Sequence, residues 1–163
     1  MENVPKKNSS ILKNNKMLTA LAGIALKEGN KNIAYHQDAD GKYESVYNSL
    51  TNEFKRLKNS GFNCLAIVPK EMIEAWLLAD IKAYPQKPQK PALPFKPEEL
   101  WGNKDSKKHP KVCIAEVLKQ FNLDPCSDVF FQIAEKSSVE TLLKHCSVSF
   151  GKFYTDLQTF IRG

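Results

Sequence analysis

Apolar residues in the first half of the chain follow two different spacings, and their alternation predicts the secondary structure. Two short runs, 31–37 (KNIAYHQ) and 62–68 (FNCLAIV), are rich in strand-forming residues. Between them, apolar residues recur as on one face of a helix: Val46, Leu50, Phe54 and Leu57. Strand, helix and strand in this order predict a βαβ unit with two parallel strands.

Helical spacing also precedes and follows this unit. Residues 10–28 carry an apolar stripe that ends at Gly29: Leu12, Met17, Leu18, Leu21, Ile24 and Ala25. Pro69 closes the second strand, and a further stripe then continues to Asp80: Met72, Ile73, Trp76, Leu77 and Leu78. Farther along, Pro110 is expected to open a helix, and two more helices are predicted near 128–145 and 149–161.

The segment 81–111 differs in composition from both flanks. Prolines recur every third residue from Pro85 to Pro97, which matches the three residues per turn of polyproline II. Such a segment is either a stiff strap over its own domain, which we favour, or a docking ligand for an aromatic groove. The loop that follows, 101–111 (WGNKDSKKHPK), is basic.

Together these elements predict an α/β fold, with a short parallel sheet, helices on its faces and a helical C-terminal half. The length of 163 residues and the hydrophobic fraction of 42% suit one globular domain, 1–163. We expect three parts: an αβαβα sheet region (10–80), a proline- and lysine-rich strap with the basic loop (81–111), and C-terminal helices (112–163).

Composition limits the cellular setting and the class of partner. No run approaches the ~18 apolar residues of a membrane span, and MENVPKKNSS lacks the apolar core of a signal peptide. The four cysteines form no CxxC motif, so a zinc site or disulfide framework is not expected and a reducing cytoplasm fits best. The formal charge of +6 favours an anionic partner, nucleic acid before membrane.

Carboxylates follow both predicted strands. Asp38 and Asp40 come after the first strand, and Glu71 and Glu74 come after the second, in the predicted first helical turn. Because parallel strands end at the same edge of a sheet, both pairs should lie where α/β sheets bind ligands. Two aspartates separated by one residue can face a hard cation such as Mg²⁺ or Mn²⁺, which keeps waters and binds substrate phosphate. A solvated turn and a helix-start acid explain the same residues without a site.

Several established kinds of site do not fit these residues. A calcium loop aligned on Gly41 would place His36 and Tyr47 at its first and twelfth ligand positions, where both are unsuitable. A haloacid-dehalogenase-type phosphotransferase usually has Thr or Val where this chain has Lys42. The glycine patterns of Rossmann and P-loop phosphate sites are absent. His36 has apolar neighbours, which favours a structural role, and His145-Cys146 lacks a third partner for a cysteine nucleophile.

The Asp-x-Asp after an apolar strand, with the later string IEAWLLAD at 73–80, resembles a Toprim-related family. Its members, with RloB-like and OLD-like relatives, are small bacterial proteins often encoded beside an SMC/ABC-type ATPase and suspected in phage defence. The matching segments fall within about 30–163: Asp38-Ala39-Asp40, 73–80, His109-Pro110-Lys111 and Ser149-Phe150.

The resemblance implies a Toprim-like fold and Mg²⁺-dependent phosphodiester chemistry on nucleic acid. It implies Asp38 and Asp40 as metal ligands and Glu74 as a third carboxylate beside them, and these three as the catalytic residues. Lys42 and Lys70 are then phosphate contacts. We expect further nucleic-acid contacts from the basic loop: Lys104, Lys107, Lys108 and Lys111.

Toprim domains carry a glutamate after their opening strand, and this chain has no counterpart. The only acids before Asp38 are Glu2 and Glu28. Two strands also leave two open sheet edges, so we expect a hetero- or homo-oligomer in which a strand from a partner or a second copy completes the sheet.

The expected function is a Toprim-like nuclease-type subunit of a phage-defence complex that works with an SMC/ABC-type ATPase. The alternative is a non-catalytic subunit that keeps the fold and binds the ATPase or nucleic acid, and a metal-dependent phosphatase comes third.

Overall fold

A computed structural model describes residues 6–85, 96–100 and 109–162 of the chain. The described part is a mixed α/β structure in which helix predominates over strand. Its two strands are β1 (Asn32–His36) and β2 (Asn63–Ile67). Its α-helices are α1 (Lys6–Lys27), α2 (Tyr43–Asn59), α3 (Ile73–Leu77), α4 (Pro110–Gln120), α5 (Ser127–Lys136), α6 (Val139–His145) and α7 (Ser149–Arg162). Short 3₁₀ turns lie at Ile81–Ala83 and Pro97–Glu99.

The two strands pair in parallel, which confirms the predicted βαβ order. Asn32 is aligned with Asn63 at one end of the sheet and His36 with Ile67 at the other. The carboxyl ends of both strands therefore lie at one edge, and the loops that follow them are neighbours. No third strand is found among the described residues.

Buried side chains form a core on one side of the sheet. β1 alternates between exposed and buried residues, as expected for a strand with one covered face. The helices α1 and α2 cover that face, and the core includes Leu18, Ala22, Ile33, Tyr35, Leu50, Phe54, Cys64 and Ala66. The side chains on the second face of β1 are exposed, and among the described residues no element covers them.

Two further groups of buried side chains hold the C-terminal helices on the sheet region. One lies between α3, α4 and α5 and includes Leu78, Ile114, Leu118 and Ile133. The other joins α3 to α6 and α7 through Trp76, Leu142, Cys146 and Phe150. The short helix α3 is therefore the element that both groups share.

Two helix predictions need correction. The helix expected to run through to Asp80 ends at Leu77, and a 3₁₀ turn follows it. The helix expected over 128–145 is two helices that break at Ser137-Ser138. Ser138 ends the continuity because its hydroxyl accepts a hydrogen bond from Thr141 N and so caps α6. The helices predicted from Pro110 and near 149–161 are present.

Some of the predicted elements lie outside the described residues. These are the prolines within 86–95 and the basic loop as far as Lys108. Within the described ranges, no helix has both the length and the apolar composition needed to cross a bilayer.

Candidate functional site at the carboxyl edge of the sheet

The loops that follow β1 and β2 are joined by backbone hydrogen bonds. Ala39 N and Asp40 N both donate to Glu71 O, at 3.1 and 3.2 Å, and Gly41 N donates to Lys70 O at 3.2 Å. These bonds fix the Asp38–Gly41 stretch against the residues that lead into α3. The sequence therefore correctly placed the two carboxylate pairs at one edge.

Asp38 connects the first loop to the helix after the second strand. Its Oδ1 accepts a hydrogen bond from Ile73 N at 3.2 Å, which satisfies a free amide at the start of α3. The same oxygen lies 3.2 Å from His36 Nε2, and the two side chains are 32% and 44% exposed. His36 therefore belongs to the site, although its neighbours in sequence suggested a structural residue.

Asp40 and Gly41 form a turn in the left-handed region, with φ of 46° and 74°. Both residues are exposed. A Cβ added at Gly41 would lie 3.0 Å from Glu71 Oε1. Glu71 is buried and precedes α3, so the prediction that it occupies the first turn of the helix is wrong. Asp40 is therefore exposed to solvent, while the buried Glu71 carboxylate lies against Gly41.

Glu74 lies in the first turn of α3, as predicted, but it is directed toward α4. Its Oε1 lies 4.0 Å from Lys111 Nζ, and the residue is 8% exposed. Its Oε2 is buried and has no hydrogen-bond partner among the described residues. Glu74 thus faces the N-terminal end of α4 through Lys111.

The three carboxylates predicted to share one metal ion do not form such a group. Among the described residues, which include all three, no cluster of three or more His, Cys, Asp or Glu is arranged to hold a metal. The reason is visible in the contacts: Asp38 caps the start of α3, whereas Glu74 extends from that helix to Lys111. At this edge the carboxylates of Asp38 and Asp40 are accessible, whereas that of Glu71 is buried.

The predicted phosphate-binding lysines have different surroundings. Lys42 is exposed just before α2, and the Lys111 side chain is 61% exposed beside Glu74. Lys70 Nζ donates to Glu98 O at 3.2 Å, so this ammonium holds the 96–100 segment. Lys104, Lys107 and Lys108 lie outside the described residues.

Glu98 was not expected from the sequence, and it organises the region behind the site. Its Oε1 accepts hydrogen bonds from Ser149 N and Ser149 Oγ at 2.8 and 2.9 Å. The Ser149 hydroxyl in turn accepts a hydrogen bond from Trp76 Nε1 at 2.9 Å. No local sequence signal links these residues, because they come from three distant segments.

Two other residues of the 73–80 string also have structural roles. The Trp76 ring packs edge-on against Phe150, with ring centroids 5.3 Å apart. The Asp80 carboxylate accepts hydrogen bonds from Lys82 N at 3.0 Å and Ser138 N at 2.9 Å. The four segments that carried the family resemblance are therefore linked through α3.

The buried thiols and phenols are poor nucleophiles. Burial raises the pKa of Cys146 to about 12, and it also raises the pKa values of Cys64 and Cys113. Burial likewise raises the pKa of Tyr43, at the start of α2, to about 12. These groups stay protonated near neutral pH.

Comparisons with protein-family models, with curated proteins and with solved structures find no match to this chain.

Proposed function

We propose that this chain is a Toprim-like, nuclease-type subunit that binds nucleic acid through Mg²⁺ or Mn²⁺ at the carboxyl edge of its sheet. The observation that carries the proposal is the Asp38–Asp40 loop, which backbone bonds to the β2–α3 loop hold at that edge. The SMC/ABC-type ATPase partner and the role in phage defence are proposed on the sequence resemblance at 73–80.

Two aspartates on one loop suit the way in which Mg²⁺ meets phosphates. The ion is usually held by one or two carboxylates, several waters and the substrate phosphate itself, rather than by a full protein cage. Asp40 is exposed and Asp38 is partly exposed, so both offer hard oxygen ligands at an accessible edge. When bound there, the ion would neutralise phosphate charge, while Lys42 contacts a neighbouring phosphate.

Cleavage by this proposal needs more than one chain. The described residues hold no group of three metal-binding side chains, and Glu74 is engaged with Lys111. The glutamate of the Toprim opening strand also has no counterpart in the sequence. We infer that a partner polypeptide or the nucleic acid provides the remaining ligands, and that the isolated chain binds without cutting.

Fluorescence anisotropy with labelled single-stranded and duplex oligonucleotides tests the proposal. The native chain should bind more tightly in Mg²⁺ than in EDTA, because the ion links the aspartates to phosphate. Asp40→Asn should lose this Mg²⁺-dependent gain and keep the binding seen in EDTA. Asparagine is the suitable replacement, since it tolerates the left-handed φ of residue 40. An undiminished Mg²⁺ effect in Asp40→Asn would contradict the proposal.

The basic loop gives a separate readout in the same assay. Lys107→Ala with Lys108→Ala should weaken binding equally with and without Mg²⁺. It should also reduce the dependence of log affinity on log salt by ~0.9 per lost phosphate contact on duplex DNA. An unchanged slope of log affinity against log salt would show that this loop does not contact the nucleic acid. The role of Asp40 is tested separately, by the Mg²⁺ effect.

A non-catalytic binding subunit is the second candidate function. The absence of a three-residue metal group within the described part favours it. It predicts nucleic-acid binding that is the same in Mg²⁺ and EDTA and is unaffected by Asp40→Asn. The anisotropy experiment therefore separates the two functions directly.

A further inference from the structure

Among the described residues, no strand pairs with the outer side of β1. At the two ends of the strand, Asn63 N donates to Lys31 O at 2.8 Å and Gln37 N donates to Ile67 O at 3.0 Å. Since successive residues of a strand direct their backbone groups to opposite sides, every second residue between these ends faces away from β2. The outward residues are Asn32, Ala34 and His36, which are all exposed and which no described strand pairs with. Of these, Asn32 N donates to Asn30 Oδ1 at 2.8 Å.

The outer edge of β2 is covered instead. The helices α2 and α7 wall a cavity of about 200 Å³ along this edge, with Cys64 and Ala66 in its lining. Asn63 Nδ2 donates to Phe160 O at 2.8 Å, which ties the end of α7 to the strand. β1 is therefore the edge at which another strand can join this sheet.

Apart from the bond between Asn32 N and Asn30 Oδ1, the described residues at the β1 edge lack the features that usually prevent strand addition. Natural edges are protected by lysine, proline, a bulge or a covering element. The outward side chains here are an amide, a methyl group and an imidazole, with Ala34 at the centre of the strand. A neighbouring backbone can approach closely at the alanine.

Charges at the two ends of β1 are opposite. Lys27, Glu28 and Lys31 precede the strand, and Asp38, Asp40 and Lys42 follow it, so the formal charges of 27–31 and 38–42 are +1 and −1. An antiparallel copy places the basic end of one strand beside the acidic end of the other, twice by symmetry. A parallel copy would instead place like charges together, which is unfavourable. The strand is thus complementary in charge to itself in one direction only.

We propose that this edge binds a second copy of the chain, by antiparallel pairing of β1 about a twofold axis at Ala34. In this register Ala34 exchanges two backbone hydrogen bonds with Ala34 of the second copy, and His36 faces Asn32 of the second copy. The two-stranded sheets join into one sheet of four strands in the order β2–β1–β1–β2. That number meets what a sheet needs for independent stability.

The helix beside this edge supports the same pairing. α1 contacts β1 and exposes apolar side chains, Met17 at 49% and Ile24 at 53%. Their spacing of seven residues puts them on one side of the helix. The sequence places both on the apolar stripe of residues 10–28, and within one copy no described element covers them. A second copy gives this stripe apolar surface to bury.

The pairing also brings a cation to the carboxyl edge of the sheet. In the proposed register, Lys31 of the second copy lies beside Gln37 and Asp38. This step rests on the proposed function: there, Lys31 of the second copy is a phosphate contact next to the Asp38–Asp40 loop. It takes the place expected of Lys70, whose ammonium is bonded to Glu98.

Size-exclusion chromatography with light scattering tests the dimer without metal or nucleic acid. The native chain should have twice the 18.5 kDa mass of one copy. Ala34→Lys should have the mass of one copy, because two ammonium groups would meet on the twofold axis. The β1–β2 pairing is unaffected, since residue 34 faces away from β2. The matched control Ala134→Lys, at an exposed alanine of α5, should stay dimeric.

Cysteine cross-linking tests the register. Residues in a hydrogen-bonded antiparallel pair have Cα atoms ~5.5 Å apart, within the ~4.4–6.8 Å range of disulfides. In a Cys126→Ser background, which removes the exposed thiol, Ala34→Cys should cross-link to itself under mild oxidation, and Ala134→Cys should not. A native chain with the mass of one copy, or an oligomer that Ala34→Lys leaves intact, would overturn the inference. Neither result bears on the Mg²⁺ effect of Asp40, so the proposed function stands or falls separately.

Discussion

At the scale of single residues, the carboxyl edge depends on one tight backbone turn. Gly41 has φ of 74°, and its missing Cβ leaves room for the Glu71 carboxylate, which lies beneath the turn. The turn places Asp40 in solvent and keeps the backbone bonds to Lys70 and Glu71. The accessible aspartate pair thus requires glycine at position 41.

Gly41→Ala should therefore lower the free energy of unfolding. A left-handed φ costs a non-glycine residue ~1–2 kcal/mol, and contact with Glu71 adds to that cost. Gly61→Ala is the matched control: its φ is 85°, but nothing lies within 4 Å of an added Cβ. Urea unfolding of both variants measures the difference. Equal losses in the two variants would show that the approach of Glu71 has no energetic role.

The sequence predicted where Asp38 and Asp40 lie in the fold, but it did not predict their contacts. The position of Asp38 and Asp40 could be predicted because they directly follow an apolar run, and the end of that strand is indicated by its sequence pattern. The contacts of His36, Lys70 and Glu98 could not, since each depends on which loops meet in three dimensions. For the same reason, the sequence predicted the position of Glu74 on α3 but not the direction of its side chain toward Lys111.

At the scale of secondary structure, α3 is a short helix fixed by side chains at both of its ends. Asp38 caps its first amide, and Asp80, just beyond it, accepts hydrogen bonds from Lys82 N and Ser138 N. Asp80 is 5% exposed, and the two amides that it binds belong to Lys82 and Ser138, which are exposed residues. One carboxylate thereby joins the 3₁₀ turn after α3 to the start of α6.

Asp80→Ala should destabilise the fold more than a surface substitution does. Each of the two hydrogen bonds lost contributes on the order of 0.5–1.5 kcal/mol. Asp124→Ala, at an exposed position in the α4–α5 connection, should change stability by only ~0.5 kcal/mol or less. Chemical denaturation of both variants measures the contrast. Equal stability of the two variants would mean that the Asp80 bonds do not join these elements.

Helices and strands whose apolar residues recur at a regular spacing were predicted correctly, but the residues at which they end were not. The β1–α2–β2 unit follows from strand runs separated by one helical stripe, and its parallel pairing is confirmed. The break at Ser137-Ser138 was missed because no glycine or proline marks it within 128–145. Only the capping bond from Thr141 N, with Ser138 N bonded to Asp80, shows where one helix stops and the next begins.

At the scale of the whole molecule, the sheet is small for the helices that it carries. Two strands with one covered edge leave a single edge for assembly, and the proposed dimer would use it. The sequence predicted that two strands need a third. It did not show which edge is open, since that depends on where α7 packs. The Toprim-like identity stays a prediction from sequence, with the Asp38–Asp40 loop as its structural support.

The most direct test of this account is where a divalent ion binds on the chain. Substoichiometric Mn²⁺ should broaden the NMR amide signals of the Asp38–Asp40 loop and of the adjoining residues before α3 in the ¹⁵N-labelled protein. Asp40→Asn should abolish that broadening, whereas Glu74→Gln should preserve it, because Glu74 faces Lys111. Broadening centred elsewhere, or unchanged in Asp40→Asn, would contradict the account.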